Sequence, residues 1–122
     1  MTIQEAITRF DALIYNTYSE SEKRSWLSTV DKRVYTQVMQ THEGCPEVRS
    51  IDYEAASGDR ELILPGSFDH MYLAYMGAMA HLYNGEIEKY NNSMLLFQAD
   101  WDTFVNWYNR NFMPLGCQWK YR

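Results

Sequence analysis

Three histidines, two cysteines and one closely spaced pair of aspartates are the side chains here whose types could do chemistry. His70 and His81 fall on one face of a predicted helix. Eleven residues at about 1.5 Å each separate them by about 16 Å along the axis. The ligands of one zinc ion each sit about 2 Å from it, so this pair cannot chelate within one chain. His42 follows a predicted helix, beside Glu43, and reads as a solvated helix end. Asp100 and Asp102 are two apart on a helix and point in different directions, so they form no carboxylate dyad. Cys45 and Cys117 do not form a close metal-type pair, and two thiols in a reducing cytosol are favoured over a disulfide. The chain has no His-Glu-x-x-His, Cys-x-x-Cys, Gly-x-x-x-x-Gly-Lys or Gly-x-Ser-x-Gly. The expectation is a protein that is not an enzyme, with no catalytic residue, metal or cofactor.

The elements that carry these residues point to a single domain over 1–122, mainly α. The chain is 46% hydrophobic and 16% aromatic, which excludes disorder. A net charge of -5 disfavours a sequence-specific nucleic-acid partner or an anionic membrane. The first residues, Met-Thr-Ile-Gln-Glu, have no signal-peptide character, and no run of about 18 apolar residues spans a membrane, so a cytoplasmic protein is expected. Thr2 and Glu5 have capping-box spacing ahead of Ile3, Ile7, Phe10 and Ile14, predicting a helix over about 3–15. Ser19 and Glu22 repeat that signal before Trp26, Leu27, Val30, Val34 and Val38, predicting a helix over about 19–42. Lys23-Arg24 and Lys32-Arg33 spread around this helix and read as solvated positions. Residues 48–53 and 61–64, split by Ser57-Gly58-Asp59, have strand composition and predict a small β-hairpin over about 48–64. This region is acidic, with Glu47, Asp52, Glu54, Asp59 and Glu61 against Arg49 and Arg60.

Ser67 is a predicted N-cap for a helix over about 68–84 that has no Asp, Glu, Lys or Arg from His70 to Gly85. A helix without a charged side packs on more than one side, so it is expected at the centre of a small bundle. Its small residues Ala74 and Gly77 favour close approach of another helix of the same chain. Asn84-Gly85 forces the next helix, about 86–112, to fold back antiparallel. There Ile87, Tyr90, Met94, Phe97, Trp101, Phe104 and Tyr108 recur in steps of three and four, an aromatic packing seam. Leu96 and Trp107 lie off that seam. After Met113-Pro114 comes an extended C-terminal tail in which Leu115, Cys117, Trp119 and Tyr121 alternate with polar residues or glycine. It is expected to pair with the 48–64 segment of its own chain or of a neighbour. The candidate interface is therefore Leu96, Trp107, Leu115, Cys117, Trp119 and Tyr121.

Several runs carry a family resemblance. Leu64-Pro65, Phe68-Asp69, Met71-Tyr72, Leu82-Tyr83-Asn84-Gly85-Glu86, Tyr90-Asn91-Asn92-Ser93-Met94, Trp107-Tyr108-Asn109-Arg110 and Met113-Pro114 resemble the head–tail connector, adaptor or neck proteins of tailed bacteriophages and prophages. The likeness is strong over about the last half of the chain and looser over Ser19–Glu22 and Thr41–Gly44. It implies a helical virion structural protein that forms a homo-oligomeric ring between portal and tail proteins. Such a subunit would be made in the bacterial host cytoplasm, then built into the virion, around a channel that DNA passes without sequence-specific binding. The resemblance implies no catalytic residue. The alternative is a small acidic helical adaptor or regulator acting as a monomer or dimer.

Overall fold

The computed structural model describes residues 1–45 and 51–113. It contains four α-helices: α1 (Ile3–Leu13), α2 (Glu20–Gln37), α3 (Asp69–Tyr83) and α4 (Ile87–Asn111). Short 3-10 turns cover Met39–Thr41 and Gly66–Phe68. The capping box at Thr2 and Glu5 is complete: the Glu5 amide donates to Thr2 Oγ1 at 3.1 Å, and the Thr2 amide to Glu5 Oε1 at 3.4 Å. Ser19 caps α2 by accepting from the Glu22 amide at 3.2 Å.

α3 touches all three other helices, α4 most extensively, and so occupies the centre of the bundle. Met71, Tyr72, Met76, Gly77 and Ala80 are buried, so both the large and the small residues of this uncharged helix are covered. Gly77 meets the end of α1, as its size suggests. A Cβ built there would lie 3.2 Å from Ile14 Cδ1. That atom is the outer end of a half-buried side chain that can rotate away, and alanine exceeds glycine in a helix interior by about 0.5–1 kcal/mol. Gly77→Ala is therefore expected to stabilise by about 0.5 kcal/mol. Gly77→Leu, which must displace Ile14, should lose about 1–3 kcal/mol. Urea midpoints of the two variants read both effects.

The first and second helices end earlier than their periodicity predicts. α2 stops at Gln37 because Val38 O is drawn into side-chain hydrogen bonds, from Thr41 Oγ1 at 2.7 Å and with His42 Nδ1 at 2.6 Å. Ser67 is not the cap of α3: it lies in the 3-10 turn, and Phe68 occupies the N-cap position with no side-chain bond.

The hairpin expected over 48–64 is not seen over 51–64, the part of it among the described residues. Among the described residues there is no strand, and Thr2 and Glu61 form an isolated antiparallel bridge. The backbone groups that a hairpin would use are committed elsewhere. Ile3 N–H donates to Arg60 O at 3.0 Å, Gln4 N–H to Gly58 O at 3.0 Å, and Leu62 N–H to Met1 O at 2.9 Å. Ile51, Tyr53, Leu62 and Leu64 are buried in the main core, so this segment folds as a lid on the helices. The tail residues Leu115, Cys117, Trp119 and Tyr121 lie outside the described residues.

Candidate functional site

The most concentrated polar chemistry in the fold surrounds Asp31, a side chain the sequence reading did not single out. It is fully buried on α2. Tyr53 donates its hydroxyl proton to Oδ2, Ile63 N–H donates to the same oxygen at 3.1 Å, and Tyr72 donates to Oδ1 at 2.5 Å. Tyr72 in turn accepts from Leu64 N–H at 2.8 Å, which orients its own proton toward Asp31. Burial pushes the Asp31 carboxyl above its usual range, opposed by these three donors and by the charge of Arg60. Burial, and then the neighbouring Asp31, push the Tyr53 and Tyr72 phenols well up. The segment is held from the other side as well. Ser28 Oγ accepts from Tyr53 N–H at 3.0 Å, and Arg24 donates to Tyr53 O at 2.7 Å and Ala56 O at 2.6 Å. With three donors converging on Asp31 inside the core, this arrangement clamps residues 53–64 onto α2 and α3.

His42 is not solvated, as expected from its place after a helix, but buried. Its Nε2 lies 2.6 Å from Asn109 Oδ1, and its ring meets Tyr108 edge-on at 4.7 Å between centroids. It thus ties the end of α2 to the far end of α4, where Glu43 N–H also donates to Met113 O at 2.8 Å. His70 pairs with Asp100 at 3.1 Å on the surface, and His81 with Glu86 at 3.3 Å. Lys89, His81 and Asn84 hold the Glu86 carboxyl well down, to about 2. Among the described residues no group of three or more His, Cys, Asp or Glu could hold a metal ion.

The aromatic seam of α4 is buried only in its second half, at Phe97, Trp101, Phe104 and Tyr108. Ile87 is exposed, and Tyr90 and Met94 are half-buried. Trp107, a candidate interface residue, is half-buried against Phe68 at 5.6 Å and Phe104 at 6.1 Å. It belongs largely to the core layer. Leu96 is 64% exposed, and its neighbour Leu95, absent from the sequence-based candidates, is 69% exposed. Leu82, Tyr83 and Ile87 add exposed apolar surface around the α3–α4 turn, and Leu13 and Tyr15 at the end of α1. These two regions share one end of the bundle, because Tyr18 donates to Asn84 Oδ1 at 2.6 Å across them. No helix among the described residues is long and apolar enough to cross a membrane.

Compared with protein-family models, with curated proteins and with solved structures, the chain matches none.

Proposed function

We propose that this chain is a structural subunit of a tailed-phage neck, assembling into a ring between portal and tail proteins. The observation that carries the reading is the outward apolar surface of Leu95 and Leu96 on α4, with Tyr83 and Ile87 at the nearby turn. Scattered exposed leucines are ordinary on a monomer, but two adjacent ones, each more than 60% exposed, suit a protein contact. The family resemblance, strongest across α3 and α4, supplies the kind of assembly. A net charge of -5 suits a channel lining along which DNA slides without adhering.

The test combines Leu95→Glu with Leu96→Glu in the full chain. Both side chains are exposed, so folding should change by no more than about 0.5 kcal/mol. Sedimentation velocity with portal protein present should show a ring-sized species for the parent chain and only free subunits for the variant. If the parent chain stays a monomer or dimer at every ratio of portal, the ring reading fails. The small acidic adaptor then takes its place.

A further inference from the structure

Beside the exposed turn lies a slot of about 350 Å³ lined by Tyr18, Glu22, Ser25, Trp26 and Tyr83. The Tyr18–Trp26, Trp26–Tyr83 and Tyr18–Tyr83 ring centroids lie 5.5, 5.9 and 6.1 Å apart. A cation seated about 3 Å over this triangle lies about 4.5 Å from all three centroids, inside the range of about 6 Å over which ring quadrupoles attract positive charge. Two of the rings are already held in place. The Tyr18 hydroxyl donates to Asn84 Oδ1 at 2.6 Å, and Phe10 meets Trp26 edge-on at 6.1 Å. Glu22, in the first turn of α2, is exposed. Among the described residues no ion pair or hydrogen bond engages its carboxylate. The cations next to it in sequence are committed elsewhere: Lys23 to Asp11 at 2.7 Å, and Arg24 to the carbonyls of Tyr53 and Ala56 at 2.7 and 2.6 Å. Tyr83 ends α3, where aligned peptide dipoles leave partial negative charge.

We propose that this slot binds the guanidinium of an arginine side chain presented by a partner protein. A guanidinium stacks on aromatic rings and donates through a fork that matches a carboxylate, so it uses both the rings and Glu22. A quaternary ammonium has no N–H to give Glu22, and an anion meets like charge at Glu22 and at the end of α3. The surroundings of the slot point to a protein as the source. Leu82 and Ile87 near Tyr83, and Leu13 and Tyr15 ahead of Tyr18, are exposed at the same end of the bundle. A free arginine would leave that apolar surface in water. A peptide segment covers it as its arginine enters, which is how arginine anchors work at protein interfaces. The contact asks for a basic partner, not for a particular assembly, so it goes beyond the neck reading and does not depend on ring formation.

The experiment adds acetyl-Leu-Arg-Leu-amide to the isotope-labelled full chain and follows it by NMR. The Trp26 indole and the Tyr18 and Tyr83 amides should shift together. The same peptide with citrulline for arginine, near-identical in shape but uncharged, should bind at least about tenfold more weakly, the scale of a cation–π contact together with a charge pair. Acetyl-arginine-amide, which lacks the leucines, should move the same signals with an affinity lower by about threefold or more. Glu22→Lys should weaken the peptide at least about tenfold, and Glu22→Gln, with an intermediate loss, separates charge from any disturbance of α2. Arg49, Lys120 and Arg122 are the cations of this chain outside the described residues. Replacing all three by Gln should leave the slot signals of the unliganded chain unmoved; if they move, the chain fills its own slot and the proposal falls. Equal binding of the citrulline peptide, shifts away from the slot, or no shifts at millimolar peptide would each overturn it. Equal affinity for acetyl-arginine-amide and the peptide would overturn the assignment to a protein partner.

Discussion

Asp31→Ala is expected to lower stability by about 3 kcal/mol or more in urea unfolding at neutral pH. The substitution leaves the Tyr53 and Tyr72 hydroxyls and the Ile63 amide without their acceptor inside the core. Each unsatisfied buried donor costs about 1–3 kcal/mol, and the three are coupled, so the sum is not simply additive. Tyr72 cannot simply turn its proton away, because Leu64 N–H already donates to its oxygen. Asp31→Asn keeps one acceptor oxygen but sets an amide N–H₂ against a tyrosine hydroxyl, so an intermediate loss of about 1–2 kcal/mol is expected. The folded Asp31 carboxyl titrates above its ordinary range, burial being the main cause. Relative to the unfolded chain, burial thus disfavours its charged form more than the three donors and Arg60 favour it. Asp31's contribution is fullest below the ordinary carboxylate range and declines as pH rises through the folded value. The Asn variant should lack that pH dependence. A loss under about 1 kcal/mol for Asp31→Ala would show that the clamp is not what holds the segment down.

Phe104→Ala should cost about 3–5 kcal/mol. Phe104 is only 2% exposed. Its ring meets Phe68 edge-on at 5.2 Å and lies 5.8 Å from Tyr108, 6.1 Å from Trp107 and 6.4 Å from Trp101. Large rings on several sides cannot collapse into the space left behind, which places the loss toward the upper end of that range. Against a total of about 5–15 kcal/mol for a domain, such a loss leaves a fraction of molecules unfolded at growth temperature. Guanidinium unfolding followed by circular dichroism reads it, with exposed Leu96→Ala as the control expected to change little. A near-equal midpoint for the two variants would mean that the aromatic layer is not the keystone of α4.

The helices were legible because their signals are local. The Thr2–Glu5 box, the Ser19 cap and the three-four steps of α4 each stand within a few residues of what they specify. The 48–64 region misled for a physical reason. Alternating bulky residues such as Ile51, Tyr53, Leu62 and Leu64 look the same whether they line a strand or fill a core beneath a lid. What decides is where the backbone amides go, and here they go to residues 1–4 and to side chains of α2 and α3, which no local pattern records. Asp31 did leave a trace. At helical spacing it falls in the middle of the Leu27, Val34 and Val38 stripe, and a carboxylate in an apolar stripe asks for donors from elsewhere. His42 left none, because its partner Asn109 is 67 positions away. The candidate surface was read in part: Leu96 is outward, Trp107 mostly inward, and Leu95 was passed over although it adjoins Leu96.

The clamp at Asp31 also bears on the order in which the molecule assembles. α3 and α4 meet through a turn of a few residues, a contact whose closure entropy is small. The N-terminal residues meet Glu61 only across a separation of 60 positions, and Tyr72 meets Asp31 across 41. Contacts so remote in sequence reward the chain late, after the intervening loop has been ordered. The helical hairpin is thus the natural nucleus, and changes at Asp31 should act chiefly by hastening unfolding, with the refolding rate little altered.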